Sequence, residues 1–227
     1  MKKNLVFACL LFLGSALFAN VELDSYFYGT VFNSKNMSSD FAEQLFDKTT
    51  FKQGLAFGEE DAVSIFFGSK PHKFDLGIGF LANFDIYSAQ KVGSKTYTGT
   101  GFNIGLGMGP VFRYTFCDKF SLFVRPAFLM NAHSFVFSDD QEITSLNDFR
   151  MTDFSIGADL NIGARSWLLN KEGFHLGLAY GGNFIYTAGS GNFYTKGYSV
   201  KDYKLNTIAY KIYFGLCMNF GDRGIDR

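Results

Sequence analysis

The sequence contains little proline and tryptophan, and it carries no net charge. Among 227 residues there are three Pro, three Cys and one Trp, and the 21 basic side chains balance the 21 acidic ones. This balance gives no electrostatic reason to expect nucleic-acid binding. After the first twenty residues, Gly, Asn or a charged residue interrupts every apolar stretch. None approaches the ~20 apolar residues that a transmembrane helix needs, so a bundle of such helices is excluded.

Aromatic residues and glycine are abundant instead. The chain has 29 Phe, 12 Tyr and 25 Gly. Aromatic side chains favour strands, and glycine in a strand marks places where another group approaches the backbone closely. The composition therefore predicts closely packed strands that present a large apolar surface.

The first nineteen residues have the features of a secretory signal peptide. Lys2 and Lys3 provide a positive start, an apolar run covers residues 5–13, and small residues follow. We predict a signal peptide at 1–19, cleaved after Ala19, with cleavage after Ala16 as the alternative. The mature domain would then cover residues 20–227.

The mature chain alternates between large apolar and small or polar side chains with a period of two, which is the period of a β-strand. From Phe102 to Phe116 every even-numbered residue is apolar, whereas Gly and Asn dominate the odd positions as far as Gly109. Four further segments, beginning at Phe120, Phe154, Phe174 and Ile208, repeat the pattern. The apolar faces of these five segments carry no charged residue. A closed barrel is the strand structure that can lie in a membrane, because lipid offers no partners to backbone groups.

The volume of such a barrel decides which face points outward. Eight strands leave an interior barely wide enough for side chains. Rows of Phe, Leu and Ile would not fit there, whereas the face of Gly, Ala, Asn and Asp would. We therefore predict an all-β fold: an eight-stranded antiparallel transmembrane β-barrel in an up-and-down meander, with the bulky face toward lipid in the outer membrane.

The polar interruptions alternate between long and short, as expected for such a barrel. Long ones cover 33–50, 88–98, 138–148 and 187–204, and short ones cover 69–73, 117–119 and 170–173. Because short turns lie on the periplasmic side, both ends of the mature chain are expected there. The second strand contains Glu59, Glu60 and Asp61. Three acids should not face lipid, so we expect 51–61 above the membrane and 62–68 within it.

The last predicted strand resembles the C-terminal recognition signal of outer-membrane barrels. In that family a polar or aromatic residue, a Gly, a hydrophobe and a final aromatic stand where this chain has Tyr213, Gly215, Met218 and Phe220. The tail from Gly221 to Arg227 departs from the family, whose chains usually end on the aromatic. The mature chain resembles small barrels of the OmpW, OmpX and OmpA-domain type, and in style treponemal outer-membrane barrels. The resemblance implies the barrel-assembly machinery and periplasmic chaperones as partners, together with outer-membrane lipid.

The predicted lumen face carries charges of both signs, which we interpret as a network of ion pairs that plugs a narrow barrel rather than as a selective channel. His175 and His133 are further members. The network consists of Asp24, Asp75, Asp85, Arg113, Arg125, Asp153, Asp159, Arg165 and Lys211.

We expect no catalytic site, no metal and no cofactor. His133 and Ser134 are adjacent, so on a strand they face opposite sides and do not form a nucleophile–base pair. The acids at 139–142 lack the ligand spacing of a calcium loop. Cys117 and Cys217 would lie on opposite sides of the barrel, too far apart for a disulfide.

These features lead to three functional hypotheses. The first is a plugged outer-membrane barrel that serves envelope integrity or binds an extracellular ligand or host surface through the segments 33–50 and 187–204, the second of which is rich in Tyr. The alternative is a passive channel for small, perhaps hydrophobic, molecules, as OmpW-type barrels are proposed to be. An enzyme that modifies lipid is the third.

Overall fold

In the computed structural model of the protein, the described residues are 20–36, 50–67, 73–92, 95–138, 148–171, 173–195 and 198–221. The predicted signal peptide, its cleavage at Ala19, and residues 139–142 lie outside these ranges. The described part contains no helix long and apolar enough to cross a membrane. It forms eight strands: β1 (Asn20–Asn36), β2 (Thr50–Phe66), β3 (Phe74–Val92), β4 (Lys95–Cys117), β5 (Phe120–Ser138), β6 (Asp148–Lys171), β7 (Phe174–Thr195) and β8 (Tyr198–Phe220).

Each strand pairs with its sequence neighbour in antiparallel fashion, and β8 pairs with β1 to close the barrel. The predicted eight-stranded up-and-down meander is therefore confirmed. A path of directly paired residues that starts at Asp24 and passes through β2 to β8 returns to β1 at Ser34, ten residues further along. With eight strands and the usual strand spacing, this stagger corresponds to a strand tilt of roughly 43°.

The two faces of the strands differ as the alternation predicts. Large apolar side chains point outward and are exposed, as in Phe27 at 69% and Ile212 at 78%. Small, polar and charged side chains point inward and are buried. Aromatic rings cluster on the outer face at the lower end, the end that carries the β2–β3, β4–β5 and β6–β7 turns. The rings of Tyr114 and Phe116 meet edge to face, with centroids 4.7 Å apart.

Two of the four long loops are largely strand, which corrects the prediction. β3 continues to Val92 and β4 begins at Lys95, inside the expected loop 88–98; β7 continues to Thr195 and β8 begins at Tyr198, inside 187–204. The prediction ended each strand where the apolar alternation ended. Backbone pairing does not need an apolar face, so the hairpins extend beyond that point.

The second strand presents its three consecutive acids on both of its faces. β2 pairs with β1 and β3 through the acidic stretch without interruption. Glu60 points into the lumen and is buried, whereas Glu59 and Asp61 are exposed on the outer wall. Glu59 lies seven residues above Phe66 at the lower end of β2, which is roughly 17 Å along the barrel axis at this tilt. An apolar band ~25 Å tall that began at Phe66 would include Glu59, and the depth of 51–61 in the membrane stays a prediction.

The two cysteines among the described residues are both free thiols. Cys117 is exposed at the β4–β5 turn, and Cys217 is buried on β8.

Candidate functional site in the barrel lumen

The structure places all nine charged residues of the predicted network inside the barrel. None of them exposes more than 7% of its surface. Buried charges need partners, because an unpaired ion loses its hydration without compensation. The ion pairs of these residues lie at different heights along the barrel, from its lower end upward.

Arg113 of β4 forms the lowest contact. Its Nη2 lies 2.6 Å from Asp75 Oδ2 on the neighbouring β3, and its Nη1 donates to Glu22 Oε1 of β1 at 2.5 Å. The guanidinium also lies 4.0 Å from the ring centroid of Phe66. One arginine thus pairs with two carboxylates and covers an aromatic face.

Arg165 of β6 lies next to it and repeats this arrangement. It binds Asp24 of β1 through two nitrogens and approaches Glu22 Oε2 at 2.7 Å through a third. Its guanidinium stacks 3.9 Å above the ring of Phe123. Glu22 therefore connects Arg113 and Arg165 into one network.

Arg125 and Lys211 lie higher in the lumen and share one carboxylate. Arg125 Nη2 donates to Glu60 Oε1 at 2.5 Å. Lys211 Nζ lies 3.9 Å from Glu60 Oε2 and 4.0 Å from Asp85 Oδ1, and it sits 3.9 Å above the ring of Tyr28.

Two further acids of the network contact an amide and an imidazole. Asp159 accepts a hydrogen bond from Asn183 at 2.9 Å. Asp153 lies 2.7 Å from Nδ1 of His133 near the upper end. His175 lies at the lower end and bonds Asn170 at 3.0 Å.

Aromatic rings and glycines complete the packing of the lumen. The rings of Tyr26 and Tyr213 are 4.4 Å apart, and the Tyr213 hydroxyl donates to Asn161. A Cβ on Gly163 would lie 2.7 Å from the Phe123 ring. Glycine at that position therefore makes room for large side chains from other strands.

Sequence reasoning missed Glu22 and Glu60, although both are central to the network. Glu22 has the same parity in β1 as Asp24, which was assigned to the lumen, so the signal was present. Glu60 has the parity of Ala62 and Ser64, whereas Glu59 and Asp61 share that of Phe57. The alternation of faces along β2 could therefore have predicted Glu60 in the lumen and Glu59 and Asp61 on the outer wall.

The residues of the C-terminal motif lie on β8 where it closes the barrel. Gly215 pairs with Tyr26, Met218 with Leu23 and Phe220 with Val21 of β1. Within the described ranges, no group of three or more His, Cys, Asp or Glu side chains is arranged to hold a metal ion.

Comparisons with known proteins address the fold. No family model matches the sequence, and no curated protein is significantly similar to it. Among solved structures, the outer membrane protein OprG from Pseudomonas aeruginosa matches with a TM-score of 0.51 and 13% identity, over 90% of this chain and 97% of that one. The outer membrane protease OmpT from Escherichia coli matches with a TM-score of 0.48 and 8% identity, over 88% and 97%. This chain has the closed β-barrel fold of bacterial outer-membrane proteins.

Proposed function

We propose that the protein is an integral outer-membrane barrel whose lumen is closed by its own side chains, and that it acts in envelope integrity or through surface contacts. The exposed apolar outer wall supports the location, because a soluble protein would expose that surface to water at high cost. The fold it shares with outer-membrane proteins agrees with this location.

The observation that carries the proposal is a common pattern among the three lumen arginines. Arg113 reaches from β4 to β1, Arg125 from β5 to β2, and Arg165 from β6 to β1. Each ion pair therefore connects strands three positions apart, across the lumen. All three guanidinium groups are fully buried. A pore through this region would require buried charges to separate, which is costly.

The length of the strands supports a role at the cell surface. β7 has 22 residues and β8 has 23. At the tilt derived above, 22 residues rise roughly 50 Å, about twice the height of the apolar band. The hairpin formed by these strands therefore projects well beyond the membrane. Its sequence carries Phe193, Tyr194, Tyr198 and Tyr203, and tyrosine-rich surfaces suit protein contacts.

Planar-bilayer conductance tests the closed lumen. We expect no reproducible single-channel steps from the purified full-length mature barrel. Steps from the unmodified protein would overturn the proposal and favour the passive channel. Altered lipid A after gene deletion would instead favour the lipid-modifying enzyme.

A shortened hairpin separates the two proposed roles. Ala188 pairs directly with Asn206, so a two-residue Asn-Gly turn can join them in place of residues 189–205. If the hairpin mediates contacts, cells with this variant should lose adherence to host-cell surfaces and keep their detergent resistance. Loss of detergent resistance with unchanged adherence would assign the protein to envelope integrity.

A further inference from the structure

We propose that the upper half of the lumen binds a hard metal cation, Ca²⁺ by preference, between Asn83 and Asn131 above Gly105. The upper half is the part nearer the β3–β4 and β5–β6 connections. This inference is independent of whether the lower half conducts, because the site lies on the lumen wall above the arginines Arg113 and Arg165.

Asn83, Gly105 and Asn131 form one row across three adjacent strands. Asn83 of β3 is paired with Gly105 of β4, and Gly105 is paired with Asn131 of β5. The two Oδ1 atoms converge on the space that a Cβ on residue 105 would occupy. Asn83 is 5% exposed and Asn131 4% exposed, and neither Oδ1 has a hydrogen-bond partner among the described residues. The two acceptor oxygens thus point at the space above Gly105, and no donor among the described residues bonds to either of them.

The next row on the same wall adds two more acceptors. Asn103 Nδ2 donates to Asp85 Oδ2 at 2.7 Å, which fixes the amide so that its Oδ1 is left over. Asn103 Oδ1 has no hydrogen-bond partner in the described structure, and Asp85 Oδ1 has only Lys211 Nζ at 4.0 Å. Both residues are at least 97% buried. Amide and carboxylate oxygens are the ligands that Ca²⁺ takes in proteins.

The charge in this half of the lumen favours a cation over water. Glu60, Asp85, Asp153 and Asp159 are buried in this half together with Arg125, Lys211 and His133, and His133 lies beside Asp153. The acidic side chains therefore outnumber the Arg and Lys side chains by two. A water molecule can donate to two oxygens but leaves this excess in place. A bound cation supplies both the coordination and the charge.

Terbium luminescence and equilibrium dialysis with ⁴⁵Ca²⁺ test the site on the full-length mature barrel refolded in detergent. We expect one Ca²⁺ bound per barrel and displacement of terbium by Ca²⁺. Gly105→Ala should weaken binding at least tenfold, because the added methyl group takes the space of the two amide oxygens without removing a ligand. Gly29→Ala is the matched control: it faces outward, and its Cβ would have no neighbour closer than 3.9 Å.

A second variant covers the case in which Gly105→Ala does not fold, as judged by heat-modifiable gel mobility. Asn131→Ala removes one ligand, adds no bulk and should also weaken binding at least tenfold. Absence of Ca²⁺ binding by the unmodified barrel would overturn the proposal; the amides would then hold water or bond each other. Equal affinity in Gly29→Ala and the two site variants would overturn it too, since the cation would bind elsewhere.

Discussion

Arg165 of β6 and Asp24 of β1 form a two-point ion pair inside the barrel. Arg165 Nε donates to Asp24 Oδ1 at 3.0 Å and Nη2 to Oδ2 at 2.6 Å, and both side chains are completely withdrawn from solvent. Such paired geometry matches the fork of a guanidinium to the two oxygens of a carboxylate. The third nitrogen of the same arginine approaches Glu22. Removal of Arg165 would therefore leave the buried Asp24 carboxylate without this partner, whereas Glu22 would keep its contact with Arg113.

We predict that Arg165→Met strongly destabilises the barrel. Breaking a buried pair on one side costs about 3–5 kcal/mol, because the remaining charge stays buried. Urea unfolding of the refolded protein in lipid vesicles, followed by tryptophan fluorescence from the single Trp167, would measure the change in the free energy of unfolding.

Lys171→Met is the control for this experiment. Lys171 is exposed at the lower end of β6, so its replacement should change stability by less than about 0.5 kcal/mol. If both variants unfold at the same urea concentration, the lumen network does not contribute to stability in the way argued above.

Glu59 and Glu60 provide a matched pair of adjacent, chemically identical side chains on opposite faces. Glu60→Gln removes the charge that Arg125 and Lys211 share and should destabilise the barrel by roughly 3 kcal/mol. Glu59→Gln should be neutral or stabilising, because its only side-chain hydrogen bond given by the structure is a long one of 3.4 Å from Ser25. The reverse order of stabilities would mean that β2 is turned by one residue, which exchanges its two faces.

The outer-wall acids also predict the depth of β2 in the membrane. Glu59→Leu combined with Asp61→Leu should stabilise the barrel in vesicles by about 1 kcal/mol, since an acidic side chain facing hydrocarbon is unfavourable. In detergent micelles, which adapt to the protein, the gain should be smaller. A double variant that is less stable in vesicles would indicate that these carboxylates lie in water or contact a partner.

The sequence alone predicted the barrel well because the features that indicate a barrel lie within short stretches of the chain. A period of two predicts the strands, the seven polar interruptions give their number, and a lumen too narrow for Phe rows determines which face points outward. The faces of Asp24, Arg113 and Arg165 follow from parity. The pairing of those charges could not be predicted. Arg113 meets Glu22 across 91 positions of sequence, and that meeting depends on the stagger of ten residues around the closed barrel. The extended hairpins were missed for a different reason: above the membrane, pairing continues where the apolar signal has ended.

The two thiols predict the orientation of the barrel in the membrane. Cys117 is exposed at the β4–β5 turn, and Cys217 is 0% exposed inside the wall. In the folded purified protein a maleimide should therefore modify Cys117, and Cys217 should react only after unfolding. Because short turns lie on the periplasmic side, a membrane-impermeant maleimide should not label Cys117 in intact cells and should label it once the outer membrane is permeabilised. Labelling of Cys117 in intact cells would show that the barrel has the opposite orientation, with its long hairpins in the periplasm.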